Sequence, residues 1–288
     1  MSVEFSCEEK LMKLCPELHK KYSDSVFASI RVLTNYRAIF PDYTDHSYLH
    51  TMNVLEYSNR IIGSNIDTLN CGEIYTLMMA VSLHDTGMGI SDTDYAEFIT
   101  EPALADYALK NADAPRQQII RDLHHELSGC FIRKYSKLFE IPEEFVFPII
   151  QAARGHRRTD LYSEQEYPAE YQAGKYKICL PYISAVIRLA DELDIAAERN
   201  ISLDRTISEI KNAYSISVWR LHSAIKDIVL TEKKCIVFAE KSRISEDDAE
   251  ELAKWVQKLK TVVEYTADVA RSRTPYKMTK RKVALEYV

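Results

Sequence analysis

The stretch from Glu73 to Leu83 is apolar almost all the way round, a pattern that a helix tolerates only at the centre of a fold. It runs directly into His84-Asp85. A buried Asp costs free energy unless it is paired or bound to a metal, and a His beside it supplies a neutral nitrogen ligand. Gly87 and Gly89 follow at once, so the backbone can turn close to whatever the pair holds. Taken alone, the doublet reads more readily as a capping Asp and a satisfied His at a helix end.

Most of the first 200 residues read as helix, because apolar residues recur at spacings of three and four. Leu180, Ile183, Ile187 and Ala190 draw one buried stripe. Phe145 to Ala153 is a shorter helix after Pro142, and Glu4 to Thr34 predicts two helices interrupted near Pro16. Residues 87–94 carry turn chemistry. Residues 159–178, with four Tyr, Pro168 and Gly174, have no clean period and read as a lid, a binding loop or a disordered excursion.

The character changes near residue 222. Ile225–Val229 and Cys235–Ala239 predict a hairpin about Thr231–Lys234. Ser245-Glu246-Asp247-Asp248 opens a helix whose inner stripe is Leu252, Val256, Leu259, Val263 and Thr266, and Met278 to Tyr287 reads as a last strand. The expected fold is therefore mainly α. A helical domain over 1–222 precedes a small β-β-α-β appendage over 223–288.

The 288 residues carry a net charge of −6, so the surface as a whole is not built to hold polyanions. The longest apolar run, Leu77 to Leu83, is far short of the roughly 20 residues that a membrane span needs. With no basic and apolar leader at the N-terminus, a cytoplasmic location is expected. None of the six cysteines forms a Cys-x-x-Cys pair, so they read as free thiols packed as small hydrophobes in a reducing compartment.

Histidine placement is more informative. Of eight, six fall in short clusters: Asp45-His46 with His50, His84-Asp85, His124-His125-Glu126, and His156 beside Arg157-Arg158. His46 and His50 are four apart and share one face if helical, which suits two metal ligands or one ligand beside an acid/base group. Asp191 lies on the apolar helix that ends near residue 199. Its first local partner is Arg188, three residues back.

The ordered set His50, His84-Asp85, His124, His156 and Asp191 resembles the signature of the HD-domain metal-dependent phosphohydrolases, across about residues 42 to 199. His50-Thr-Met-Asn-Val54 is similar to that family's first-ligand helix. Ser82-Leu-His84-Asp85-Thr-Gly-Met88 is similar to its defining doublet. Arg121-Asp-Leu-His124-His-Glu-Leu-Ser128 and Arg154-Gly-His156 resemble its two additional-histidine motifs, and Arg188-Leu-Ala-Asp191-Glu-Leu-Asp194 its closing helix. The resemblance implies an all-helical core with His50, His84, Asp85 and Asp191 around one metal. It implies a second metal on His124 and His156, with Asp85 bridging. His125 is the alternative to His124, which the spacing favours. The chain looks most like a stand-alone bacterial member. It shows neither the Gly-Tyr-Pro extension of the cyclic-di-GMP hydrolases nor a synthetase domain.

The implied activity is hydrolysis of a phosphoester, with a nucleotide as the expected substrate, by a water held between two divalent ions. Imidazole and carboxylate ligands suit Mn, Fe, Zn or Ni, with Mg possible. The run Asp45-His46-Ser-Tyr-Leu-His50 is similar to a cyclic-nucleotide phosphodiesterase segment whose earlier His is the general acid. That gives His46 the same role, with substrate binding or structure as the alternative. Asp85 and Arg154 are the further catalytic candidates, and Arg157, Arg158 and Arg121 bind substrate, since guanidinium matches phosphate bidentately. One or two of these four arginines are expected to serve. The competing functions are a single-strand nuclease, suggested by the basic stretch Arg271, Arg273, Lys277, Lys280, Arg281 and Lys282, and a non-catalytic nucleotide sensor. A homo-oligomer is compatible with either.

Overall fold

The computed structural model describes residues 6–42, 48–195 and 213–288. The chain is mainly α, as the periodicity predicts. Helix α1 (Cys7–Leu14) starts on a reciprocal cap in which Ser6 Oγ accepts from Glu9 N–H and Glu9 accepts from Ser6 N–H. Pro16 occupies the first position of α2 (Pro16–Thr34), where its missing N–H costs nothing. A short α3 (Tyr36–Ile39) and α4 (Tyr48–Ile62) follow.

Helix α5 (Cys71–Leu83) is buried at every residue and packs against α1, α2, α4 and the later helices α9 (Glu143–Arg154) and α10 (Leu180–Leu193). A 3-10 turn over Thr86–Gly89 leaves its end, and Ser91 then caps α6 (Asp92–Phe98). Helices α7 (Pro102–Lys110) and α8 (Arg116–Tyr135) complete this layer. Helix α8 lies against the 3-10 turn and α9, while α10 lies against α4 and α9.

Residues 159–178 are more ordered than their lack of period suggests. They end in a hairpin of β1 (Tyr171–Ala173) and β2 (Tyr176–Ile178), and Gly174 takes φ +56 at the tight turn, a conformation that glycine adopts without strain. Tyr167 is fully buried and donates to Thr159 Oγ1 at 2.7 Å, and Tyr171 stacks on Phe147. The segment is packed onto α9 and lines no part of the cleft described below. The buried tyrosine rings supply the packing that a periodic stripe would otherwise give.

Helix α11 (Ala213–Ala224) runs straight into β3 (Ile225–Leu230), so the boundary expected at 222 cuts its last turn. Strand β3 pairs antiparallel with β4 (Lys234–Ala239). Helix α12 (Glu246–Arg273) then crosses over, and β5 (Lys282–Tyr287) returns parallel to β4, giving the sheet order β3-β4-β5. The last strand starts later than expected, at Lys282 rather than Met278. The stripe Leu252, Val256, Leu259, Val263 and Thr266 is buried as its spacing predicts.

The C-terminal elements are docked on the helical core, not tethered to it. Helix α12 packs along α10. Arg273 donates to Leu161 O at 2.7 Å and Tyr167 O at 3.0 Å. The Tyr276 hydroxyl lies 2.8 and 2.7 Å from the two oxygens of Glu73, whose carboxylate also caps α5 and accepts from Cys179 N–H. Burial pushes the Glu73 pKa up, against the bonds it accepts from Asn70, Tyr276 and Cys179. Removing one donor from a buried acceptor costs roughly 1–3 kcal/mol. Tyr276→Phe is therefore expected to lower the unfolding free energy by that amount and the urea midpoint with it, with both parts of the chain still unfolding in one transition. Two separate transitions in the wild type, or an unmoved midpoint in the variant, would contradict this docking.

Candidate metal centre

Five helix ends and faces converge on one cluster. His50 is the third residue of α4, and His84 caps the C-terminus of α5, with Asp85 next in the turn. His124 sits within α8, His156 just beyond α9, and Asp191 near the end of α10. His50, His84, Asp85, His124 and His156 are all buried.

The Asp85 carboxylate divides the cluster. Its Oδ2 lies 3.4 Å from His50 Nε2 and 3.5 Å from His84 Nε2, and its Oδ1 lies 3.5 Å from His124 Nε2 and 3.8 Å from His156 Nε2. Asp191 Oδ1 lies on the first side, 3.4 Å from His50 and 3.7 Å from His84. Two groups able to hold a metal ion result, His50–His84–Asp85 and Asp85–His124–His156, and they share Asp85.

Ring orientation tests the fit. His84 Nδ1 donates to Val81 O at 2.7 Å, His124 Nδ1 to Arg121 O at 2.5 Å and His156 Nδ1 to Ala153 O at 2.5 Å. His50 Nδ1 lies 2.6 Å from Asp194 Oδ2, and Asn53 Nδ2 donates to the other oxygen at 3.0 Å. A backbone carbonyl, like an ionised carboxylate, only accepts, so these rings are protonated at Nδ1 and in their neutral form present a lone pair at Nε2. Those Nε2 atoms face each other at 3.1 Å between His50 and His84 and at 2.9 Å between His124 and His156. Two lone pairs at that distance repel unless a cation lies between them, so the donor set fits metal ions of the imidazole- and carboxylate-binding kind.

For His124 and His156 the electrostatics agree. Burial pushes His124 down to about 3 against the pull of Asp85, and burial together with His84 and His124 holds His156 well below its ordinary value. Both therefore stay neutral at physiological pH. Burial also opposes charge on His84, but Asp85 and Asp191 outweigh it and raise the pKa. Burial works to raise Asp191, yet His50 and His84 hold it well below the usual carboxylate range.

Neighbouring groups lock the backbone that carries these side chains. Ser128 donates to His84 O at 2.6 Å and accepts from Gly87 N–H at 2.8 Å. A Cβ at Gly87 would come within 2.2 Å of His124 O, so only glycine lets the doublet turn approach α8 this closely. Arg188 does not pair with Asp191. It donates to Gly155 O at 2.7 Å and Thr159 O at 2.8 Å, pinning the turn beside His156 and leaving Asp191 to the histidines.

The arginine expectations need correction in part. Arg154 is not free for catalysis: its Nε and Nη2 each donate to Glu126 at 2.8 Å, and Nη1 donates to Gln151. Arg158 is exposed and lines no part of the cleft, whereas Arg121 and Arg157 do. His125 lies beside Glu126, outside both metal-capable groups, and burial pushes it down to about 4. His46 falls in 43–47, outside the described residues.

A cleft of about 370 Å³ opens over Asp85, His124 and Asp191. Its charged lining comprises Arg121, Arg157, Lys254 and Lys258 with Asp42, Asp85, Asp191, Glu192, Asp194 and Glu251. The contributions from α11 and α12, and the role of Asp194, go beyond the sequence reading. Asp194 was signalled only as a carboxylate three residues after Asp191.

A carboxylate behind a ligating imidazole typically accounts for 10–100-fold in metal affinity. Asp194→Ala should weaken zinc binding by about that factor in competition with a chromophoric chelator. Elemental analysis should find parental metal content in His125→Ala and a loss in His124→Ala. The reverse pattern would assign the ligand to His125.

No curated protein and no solved structure matches the chain. A family model described as HD-CE matches residues 40–272, from ahead of α4 to the last turn of α12. With the buried His/Asp doublet cluster in place inside that span, the chain belongs to the HD-CE family.

Proposed function

We propose that the protein is a metal-dependent phosphohydrolase acting on a small phosphoester, with a nucleotide as the favoured substrate. The observation that carries this reading is the division of Asp85 between two facing histidine pairs. His50, His84, Asp85 and Asp191 would hold one divalent ion, and His124, His156 and Asp85 a second. Ions so held supply Lewis acidity toward a phosphoryl oxygen and generate a nucleophile from water at neutral pH.

The remaining work falls to the chain's own groups. Arg121 and Arg157 line the cleft and neutralise phosphoryl charge. His46, four residues before His50, donates a proton to the leaving oxygen. The Nδ1 hydrogen bonds keep the ligating rings from turning.

A nuclease finds less support. Among the basic residues near the C-terminus, Arg273 is committed to Leu161 O, Tyr167 O and Glu164, and Arg281 to Thr231 O. Arg271 pairs with Asp268 and Lys280 with Glu264. A non-catalytic sensor is disfavoured by a donor set that lacks none of its expected members.

The deciding experiment is metal analysis followed by a phosphoester screen with Mn, Fe, Zn, Ni and Mg. About two metals per chain are expected. His156→Ala should keep one, and Asp85→Ala should deplete both. A single metal in fully loaded wild type would sink the two-metal reading, and no turnover of any phosphoester by loaded protein would sink the hydrolase.

His46→Ala should load metal normally and lose roughly 10²–10⁴-fold in turnover on an ester with an alkoxide leaving group. The loss should shrink for p-nitrophenolate, which needs little protonation. Equal losses on both substrates with reduced metal content would make His46 a ligand instead.

A further inference from the structure

The cleft has two unlike walls. One carries Asp85, His124 and Asp191. The other comes from α11 and α12 and carries no metal donor of the cluster. Glu251, Lys254, Trp255 and Lys258 follow the spacing of one helix face, and all four line the cleft. Trp219 joins them from α11, its indole N–H donating to Asp42 O at 3.0 Å. The chain has two tryptophans, and both line this one cleft. They are 7% and 8% exposed, so each ring is held by packing, and Val218, Leu221 and Ile195 extend the apolar surface beside them.

The charged lining adds a second constraint. Among the described residues, four cationic and six acidic side chains face the cleft, so without metal an anion meets a net negative lining there. Two divalent ions reverse that sign. A ligand suited to the whole cleft is anionic at the metal end and flat and apolar at the other. The volume of about 370 Å³ lies at the lower end of the small-molecule range, which suits one such ligand.

We infer that the α11–α12 wall is the recognition subsite for the organic part of the phosphoester, and that it takes a flat aromatic ring system, the class that nucleobases represent, against Trp255 and Trp219. This rests on the phosphoester reading above. Lys254 and Lys258 stand at the rim, paired with Glu251 at 2.9 Å and Glu192 at 2.6 Å, where they frame the ring without competing for its faces. Stacking of a base on an aromatic side chain typically changes affinity roughly 5- to 150-fold.

The two tryptophans make the test direct. Metal-loaded full-length protein is mixed with AMP or with ribose 5-phosphate in a stopped-flow instrument, and tryptophan emission is read before turnover. AMP is expected to bind at least about tenfold more tightly than ribose 5-phosphate and to change the emission. Trp255→Phe should keep that ratio, and Trp255→Ala should bring it close to one, with Trp219 still reporting. Metal-stripped protein should bind neither probe. Equal affinity for the two probes in wild type overturns the subsite while leaving the hydrolase reading intact, and needs no variant to fold. An unchanged ratio in Trp255→Ala with parental metal content overturns it as well. Loaded protein that binds neither probe removes the phosphoester reading, and the subsite with it.

Discussion

The two oxygens of Asp85 each face a different pair of imidazole nitrogens, and the surrounding structure serves to keep them there. A carboxylate buried to 4% exposure is costly unless every polar atom has a partner. The fold meets that demand with one device used three times. His84, His124 and His156 each donate Nδ1–H to the carbonyl three residues earlier, at Val81, Arg121 and Ala153. For His84 and His156 those carbonyls lie in the last turn of a helix, where backbone acceptors have no partner within the helix. The ring satisfies the helix end, and the helix end fixes the ring. His50 stands near the start of its helix, where such last-turn carbonyls do not occur, and Asp194 takes their place.

This arrangement explains which parts of the site the sequence reveals. The buried helix before His84 is legible because no amphipathic face is left for solvent. The order of the cluster is legible because most of its members sit at a helix end or on a strongly apolar helix, His124 within the more polar α8 being the exception. Cross-helix choices are not. The i, i+3 rule pairs Arg188 with Asp191, yet two carbonyls of the turn beside His156 offer Arg188 better partners within the core. Arg154 looks available beside His156 until Glu126, on another helix, closes a bidentate pair on it. Spacing favours His124 over His125, but only the packing of α8 shows which ring reaches Asp85.

The cleft face of α12 is hidden for a different reason. Glu251, Lys254 and Lys258 have the composition of a solvated helix face, and the buried stripe on the same helix accounts for its apolar residues. Trp255 is the exception, since it lies between the two faces and belongs to both the core and the cleft. Period alone cannot distinguish a polar face turned to water from one turned to a site. The distinction comes from tertiary packing of α12 on α10, the helix that carries Asp191.

That packing ties the α11–α12 wall of the cleft to the metal-capable cluster at two points. Trp219 holds the carbonyl of Asp42, a few residues ahead of the helix that bears His50. Lys258 holds Glu192, the residue after Asp191. Both tethers therefore end near the same side of the cluster, where Asp191 faces His50. His124 and His156 are instead fixed to their own helix carbonyls. The C-terminal elements are thus part of the geometry of one half of the cluster although they donate no ligand to it. The family match is consistent with this, since it runs past the end of the helical core and through α12.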